Sequence, residues 1–114
     1  MSGKFELAQS SNGKFMFNLK AENGQVVLTS QMYEARSSAT QGIDSVRVNA
    51  PFDERYERLQ SSRGQPYFVL KAANGQVIGN SQMYASAAGV EGGIASVKKN
   101  APNAMLIDTT SPSR

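Results

Sequence analysis

The chain has 114 residues, 39% of them hydrophobic, and its 12 lysine and arginine residues against 9 aspartate and glutamate residues give a formal net charge of +3. It contains no cysteine and no histidine, which excludes disulfides and thiolate chemistry and removes the commonest general base and transition-metal ligand. We expect one compact, ordered domain without a membrane span or a secretory signal. We interpret the modest net charge as ordinary surface charge that favours solubility, and only secondarily as an indication of nucleic-acid binding.

Three short strands are predicted at the start of the chain. Alternating apolar and polar residues indicate half-buried strands over residues 5–7 and 15–21, and residues 26–29 form the returning strand of a hairpin. The hairpin signal is Asn23-Gly24, because both central residues of a type I′ turn need a positive φ.

The turn also predicts the register of the hairpin. With a two-residue loop, Leu19 faces Leu28, and directly opposed residues share a face of the sheet. One apolar surface then comprises Phe17, Leu19, Ala21, Val26 and Leu28. The opposite face is mixed, and we interpret it as a partly covered outer face, with a contact surface as the alternative.

A helix is predicted after the hairpin. Ser37 or Ser38 can cap its start, and apolar and glycine positions recur at helical spacing up to Asn49, where the Ala-Pro step that follows should end the helix. Gly42 lies within this stripe. Because a glycine in mid-helix costs about 1 kcal/mol relative to alanine, we infer a close approach of the helix to the sheet at this residue.

The whole pattern then recurs at a constant offset of 51 residues. Residues 23–51 return as residues 74–102, with NGQV, SQMY, GI-x-SV and NAP in step and no gap. Such a repeat indicates two copies of one supersecondary unit. We therefore assign a single domain to residues 1–114, with repeat 1 at 3–51, repeat 2 at 54–102 and a closing strand near 104–109.

The two copies resemble a known family in the motifs G-x-F-x-F-x-L-x-A-x-N-G-x-V, S-x-x-Y and G-I-x-S-V-x-x-N-A. The matching residues are Gly13, Phe15, Phe17, Leu19, Asn23, Gly24, Ser30, Tyr33, Gly42, Ile43, Ser45, Val46 and Asn49, then Gly64, Phe68, Leu70, Asn74, Gly75, Ser81, Tyr84, Gly93, Ile94, Ser96, Val97 and Asn100. The pattern is similar to the YegP-like family of small bacterial proteins of unknown function. Pro66 departs from it where an aromatic residue is expected, and Gly79 departs where a bulky strand residue is expected.

The resemblance implies an α+β fold of two pseudo-symmetric βββα repeats. The repeats would share one antiparallel sheet, with both helices on one face and the strand after each helix exchanged between the repeats. The resemblance implies no activity.

Catalytic chemistry has little support in the sequence. Glu6 and Glu57 recur at matched positions, but strand alternation directs them outward beside lysine and arginine residues. We therefore interpret them as members of surface ion pairs rather than as general acids or bases. The serines lack a histidine base, and no metal-ligand spacing or phosphate-binding loop occurs. We therefore expect no catalytic residue, no cofactor and no metal.

Five residues are candidates for contact with a ligand. Tyr33 and Tyr84 lie between the hairpin and the helix of each copy, where the ring can pack on the core and the hydroxyl can cap a backbone group; stacking on a ligand or a base is the alternative. Arg47, Lys98 and Lys99 lie in the last helical turns, where the helix dipole alone favours cations; phosphate contact is the alternative.

The sequence thus predicts a non-catalytic binding or interaction module of the bacterial cytoplasm. We expect a monomer with internal pseudo-twofold symmetry and no membrane partner, and the sequence does not specify its ligand. The alternative is weak nucleic-acid binding through the more basic second repeat and the paired tyrosines. An enzyme comes third.

Overall fold

Each repeat forms three strands and one helix in the computed structural model, which describes residues 3–110. The first repeat contains β1 (Lys4–Gln9), β2 (Phe15–Lys20), β3 (Val26–Ser30) and α1 (Arg36–Asn49). After a 3-10 helix at Asp53–Arg55, the second repeat contains β4 (Tyr56–Gln60), β5 (Pro66–Lys71), β6 (Val77–Asn80) and α2 (Ala87–Asn100). A second 3-10 helix, Ala101–Asn103, precedes the last strand, β7 (Met105–Asp108).

All seven strands form one open sheet in the order β4-β5-β6-β3-β2-β1-β7. The two repeats meet at its centre, where β3 pairs antiparallel with β6 through Thr29 opposite Asn80 and Ser30 opposite Gly79. Both helices pack on one face of the sheet, α1 chiefly against β2 and α2 chiefly against β5. This arrangement confirms the α+β fold of two repeats that share a sheet.

The sheet is mixed, and the expectation of a wholly antiparallel sheet is corrected at β7, which runs parallel to β1. The amide of Gly3 donates to Oδ1 of Asn100 at 2.9 Å, so the end of α2 lies beside the start of β1. The chain that leaves α2 therefore enters the sheet at the first residues of β1 and continues in the same direction. Strand exchange takes this form: β4 follows α1 into the second half of the sheet, and β7 follows α2 into the first.

The first hairpin turn differs from the predicted type I′ loop. Gly24 has a φ of 87°, whereas Asn23 does not have a positive φ. The amide of Ala21 donates to the carbonyl of Gln25, and the amide of Gly24 donates to the carbonyl of Ala21, both at 2.9 Å. The loop is one residue longer than predicted because the side chain of Asn23 accepts the amide of Gln25 at 3.0 Å and closes its own turn.

A bulge beside Leu19 restores part of the predicted register. Lys20 pairs with Val26 while Leu19 pairs with Leu28, so Val27 is the extra residue. The pairing of Leu19 with Leu28 is confirmed, but Val27, which is 7% exposed, joins the core in place of Val26. The second hairpin has the same shift.

Both helices end where predicted, at Asn49 and Asn100, immediately before the Ala-Pro steps. The start of α1 differs from the prediction, because the chain enters the helix at Ala35, ahead of the two serines, and no side chain caps it. In α2, the side chain of Ser86 provides the cap.

The core lies between the helices and the sheet. Phe5, Phe17, Leu19, Phe68 and Leu70 have no exposed surface. Burying a side chain of this size contributes about 1.5–3 kcal/mol relative to leaving it in water, so these strand residues hold the helices in place.

Candidate functional site

The two ends of the sheet are not equivalent. At the first-repeat end β1 has β7 as its outer neighbour, whereas β4, the counterpart of β1, is the last strand of the sheet within residues 3–110. The amide of Phe68 donates to Oγ of Ser81 at 3.0 Å, and its carbonyl accepts the amide of Ser81 at 2.9 Å, so both peptide groups face β6. Arg58 lies opposite Phe68 on β4 and therefore directs its own amide and carbonyl away from β5, into the open edge.

Strand β7 shows how a strand is held at the matching edge of the first repeat. The amide and the hydroxyl of Thr109, the residue after β7, both donate to the carbonyl of Leu7, at 2.8 and 2.7 Å. Arg36, in the first turn of α1, forms an ion pair with Asp108 of β7. Backbone pairing with β1 and a charged contact to α1 therefore hold β7 in place at the edge of the sheet.

A groove of about 470 Å³ lies beside the open edge, between the β4–β5 hairpin and the start of α2. Two of its lining residues are smaller than their counterparts in the first repeat: Pro66 stands where the first repeat has Phe15, and Ala87 stands where it has Arg36. In the first repeat Phe15 packs against the core and Arg36 forms its ion pair with Asp108 of β7. The remaining lining residues of the groove are Arg58, Leu59, Gln60, Tyr67, Val90 and Glu91.

Four charged side chains form a network at the open edge. Arg58 donates from Nε and Nη2 to the two carboxylate oxygens of Glu91, at 2.6 and 2.9 Å. Its Nη2 also donates to Asp53 at 3.2 Å, and Lys98 donates to the same oxygen of Asp53 at 3.1 Å. No protein group among the described residues accepts a hydrogen bond from Nη1 of Arg58. The guanidinium therefore keeps N–H donors for a further acceptor.

The network lowers the pKa of its two carboxylates. The hydrogen bonds from Arg58 hold the pKa of Glu91 below its usual range. The pKa of Asp53 is lowered first by the hydrogen bond from Lys98 and then by that from Arg58. Both carboxylates are exposed, so salt screens these pairs and they contribute little to stability.

Tyr33 and Tyr84 pack in matching places inside the fold. The ring of Tyr33 stacks on Phe17 with centroids 6.3 Å apart, and that of Tyr84 stacks on Phe68 at 6.4 Å. Burial raises the pKa of both hydroxyls. A β-carbon on Gly42 would lie 2.4 Å from the hydroxyl oxygen of Tyr33, so the close approach inferred at this glycine is to the tyrosine ring. Contact of either tyrosine with a ligand stays a prediction.

The three basic candidates lie in different surroundings. Arg47 donates to the carbonyl of Ala104 at 2.7 Å and so holds the segment that leads into β7. Lys98 belongs to the charge network at the open edge. Lys99 lies 3.8 Å from Glu22, on the hairpin of the other repeat. Of these three, Lys98 is the one that the fold brings to the edge of β4.

Arg58 and Glu91 are absent from the sequence-based candidates, most of which lie at positions that the repeats share. The signal that finds them is the opposite one, a difference between matched positions. Arg58 stands where the first repeat has the fully buried Leu7, and Glu91 stands where it has Thr40. The arginine in place of a core leucine gives the two edges of the sheet different chemical character.

The carboxylates outside this network form surface pairs. Glu6 lies 3.0 Å from Lys20 and Glu57 lies 2.5 Å from Lys71, so both form the predicted surface pairs, with partners on the neighbouring strands. Between residues 3 and 110 no three side chains of the His, Cys, Asp and Glu types gather closely enough to hold a metal ion. Neither α1 nor α2 has the length and apolar character that a membrane crossing requires.

The fold and the edge define a class of small α+β protein, a tandem repeat around one mixed sheet. Both repeats match a family model described as a domain of unknown function (DUF1508), over residues 10–57 and 61–108. The two matches are again 51 residues apart.

The chain belongs to this family, whose relatives include the YegP proteins. It is 54% identical over 110 residues to the UPF0339 protein YegP of Escherichia coli K12, across 96% of this chain and 100% of the relative. Identity to a UPF0339 protein of Shewanella oneidensis is 49%, with the same shares covered.

Solved structures of two relatives share the fold. The solution NMR structure of Escherichia coli yegP, a protein of unknown function, has a TM-score of 0.93 at 52% identity, across 99% of this chain and 97% of that one. The solution NMR structure of a Shewanella oneidensis UPF0339 protein has a TM-score of 0.90 at 49% identity, across 96% and 93%. The comparisons identify a family and a fold, and they name no ligand.

Proposed function

We propose that this protein is a non-catalytic interaction module that binds an extended polypeptide segment at the open edge of β4. The observation that carries the proposal is the difference between the two ends of the sheet, since β1 holds an added strand and β4, as far as residues 3–110 show, does not. Adding a strand to a sheet edge is a recurrent mode of recognition, in which main-chain hydrogen bonds supply affinity and neighbouring pockets supply specificity. The groove beside β4 supplies such a pocket.

The state of the titratable groups near this edge supports a non-catalytic role. Lowered pKa values keep Asp53 and Glu91 ionised at neutral pH, far from the values that suit a general acid or base. The hydroxyl of Tyr56 donates to the carbonyl of Ala50 at 2.8 Å, and burial raises its pKa. Each group already has a structural partner.

Nucleic acid is a weaker candidate for the ligand. The basic residues of α2 face carboxylates, Lys98 with Asp53 and Lys99 with Glu22, so a phosphate backbone would have to displace both pairs. We further propose that the module is a monomer of the bacterial cytoplasm, since a chain without cysteine fits a reducing compartment.

The test uses a synthetic peptide with the sequence of residues 103–110, acetylated at its N-terminus and amidated at its C-terminus. These residues already form a strand partner for β1, and the sequence repeat makes β4 the matching partner. The intact chain holds its own β7 at a high effective concentration, so added peptide should bind at β4 rather than at β1. We expect saturable binding to the full chain, measured by fluorescence anisotropy of the labelled peptide.

Two methylated peptides separate strand pairing from non-specific contact. A methyl group on the amide nitrogen of Thr109 removes the donor that bonds Leu7 in the chain itself, so this peptide should not bind. A methyl group on the amide nitrogen of Asp108, which alternation directs away from the paired strand, should change affinity little. Equal effects of the two methyl groups, or no binding by the unmodified peptide, would contradict strand addition at β4.

A further inference from the structure

We propose that the segment bound at β4 runs parallel to β4 and places an acidic side chain opposite Arg58. This inference rests on the proposed function and adds the direction and the chemical class of the partner segment. The partner is a segment of another protein with an aliphatic residue, then any residue, then an aspartate or a glutamate.

The direction follows from the internal symmetry of the molecule. Ala104 and Asp53 are matched residues, and matched cations contact them: Arg47 donates to the carbonyl of Ala104 and Lys98 to the carboxylate of Asp53. The two halves therefore follow one path up to this residue and then differ. In the half of the sheet that contains β1, the segment after Ala104 continues as β7 outside β1. In the half that contains β5, the segment after Asp53 turns directly into β4. The space outside β4 thus begins beside Asp53, and a strand that fills it as β7 does runs parallel to β4.

The acidic residue follows from the register of β7. Asp108 lies opposite Leu7 in the parallel pair, and Arg36 of α1 neutralises it. In the second repeat, Ala87 occupies the helix position that matches Arg36, so the helix offers no cation there. The cation lies on the strand instead, because Arg58 occupies the position that matches Leu7. A carboxylate in the place of Asp108 would lie directly opposite Arg58, and opposite charges at such cross-strand positions stabilise a sheet. Because Nη1 of Arg58 has no protein acceptor within residues 3–110, this carboxylate can bind while Glu91 keeps its own hydrogen bonds.

The same arginine makes the edge selective. A charge that faces inward on an edge strand hinders pairing with unrelated strands, because an apolar residue placed over it would desolvate the guanidinium without compensation. Two positions before the acidic residue, β7 places Leu106 opposite Phe5, and the counterpart of Phe5 is Tyr56. The buried ring of Tyr56 favours an aliphatic side chain there. These two positions give the aliphatic-x-acidic pattern.

A second copy of this chain is the less favoured occupant, because its β7 is already engaged. Releasing that strand would expose the buried Ala104, break the hydrogen bonds from Thr109 to Leu7 and separate Asp108 from Arg36. A segment of another protein carries none of these costs.

The experiment is a charge exchange between the full chain and the peptide of residues 103–110. The peptide is used as it stands and with Asp108→Lys, and the chain is used as wild type, as Arg58→Glu and as Arg63→Glu. Arg63 lies on the exposed turn between β4 and β5 and controls for net charge. We expect wild type and Arg63→Glu to prefer the aspartate peptide by about fivefold, and Arg58→Glu to reverse the preference. Arg58→Gln, which should abolish the preference, replaces Arg58→Glu if the charge reversal fails to fold.

Two further measurements sharpen the test. Glu91→Gln removes a competing negative charge, so it should tighten binding of the aspartate peptide and leave an Asp108→Ala peptide unchanged. A nitroxide at the N-terminus of the peptide should broaden the amide signal of Arg55 for a parallel strand. Broadening at Gln60 instead would show an antiparallel strand and overturn the assigned direction.

The outcomes distinguish this inference from the proposed function. If wild type binds both peptides equally while methylation at Thr109 still abolishes binding, β4 accepts strands but Arg58 does not select an acid, and this inference is overturned. If no peptide binds at β4, the proposed function fails as well. If the chain self-associates in sedimentation without peptide and Arg58→Glu prevents it, the occupant is a second copy, which also overturns this inference.

Discussion

Replacing Gly42 with alanine tests the packing of Tyr33 against α1. The new β-carbon would lie 2.4 Å from the hydroxyl oxygen of Tyr33, 2.9 Å from its Cζ and 3.1 Å from Cε2 of Phe17. Two of these separations are too short to persist, so the tyrosine ring must leave its stack on Phe17. Overpacking of this kind costs about 2–3 kcal/mol, and alanine returns about 1 kcal/mol of helix propensity. We therefore expect a net loss of about 1–2 kcal/mol in the free energy of unfolding.

The assay is urea denaturation followed by circular dichroism, with two further variants. Gly92, on the exposed face of α2, has no heavy atom within 4 Å of its β-carbon position, so Gly92→Ala should stabilise the protein by up to about 1 kcal/mol. Adding Tyr33→Phe to Gly42→Ala removes the atom in closest contact and should recover part of the loss. A Gly42→Ala protein that is as stable as Gly92→Ala would refute the account of Tyr33.

Three other predictions follow from the fold and the edge. In urea melts Phe17→Ala should lose about 3–5 kcal/mol, because the ring is fully buried, while Lys20→Ala on the outer face should stay within about 1 kcal/mol; similar losses would contradict the assignment of faces. The lowered pKa of Glu91 gives a contribution to stability that is present above its unfolded value and is lost as the pH falls through the folded value. Carboxyl NMR titration should show this pKa rise toward normal in Arg58→Ala, and an unchanged pKa would count against the ion pair. A fragment of residues 54–114 should form a homodimer whose melting temperature rises with concentration, whereas the full chain should melt independently of concentration; a folded, strictly monomeric fragment would show that the repeats are separate domains.

Periodicity made most of the fold predictable from the sequence. Strand alternation and the offset of 51 residues placed the hairpins, and the Ala-Pro steps after Asn49 and Asn100 placed the helix ends. Strand alternation and the Ala-Pro steps are local signals, since each depends on residues a few positions apart, and the repeat carries them over to the second half of the chain. The resemblance to a family then supplied the shared sheet.

The structure departs from the sequence-based prediction where two local arrangements, or a local and a tertiary contact, compete and the sequence pattern does not show which is more stable. The side chain of Asn23 satisfies the amide of Gln25, and this bond favours a three-residue loop over the type I′ turn. The direction of β7 required the position of the end of α2 beside Gly3, which is a tertiary contact.

The candidate site was the least predictable feature, because it depends on which edge stays open. Arg58 looks like an ordinary surface arginine until the hydrogen bonds between Phe68 and Ser81 show where its own peptide groups point. The signal available in the sequence was the comparison with Leu7, since a buried apolar residue of the first repeat is replaced by a charged residue in the second.

Amide hydrogen exchange at Arg58 tests the central claim most directly. The amide of Arg58 faces the open edge of β4, whereas the amide of Leu59, by the alternation of the strand, faces β5. When the full chain is saturated with the peptide of residues 103–110, exchange at Arg58 should slow markedly while exchange at Leu59 changes little. Saturation that leaves Arg58 unchanged, or that protects amides of β1 instead, would contradict the binding of an extended segment at this edge.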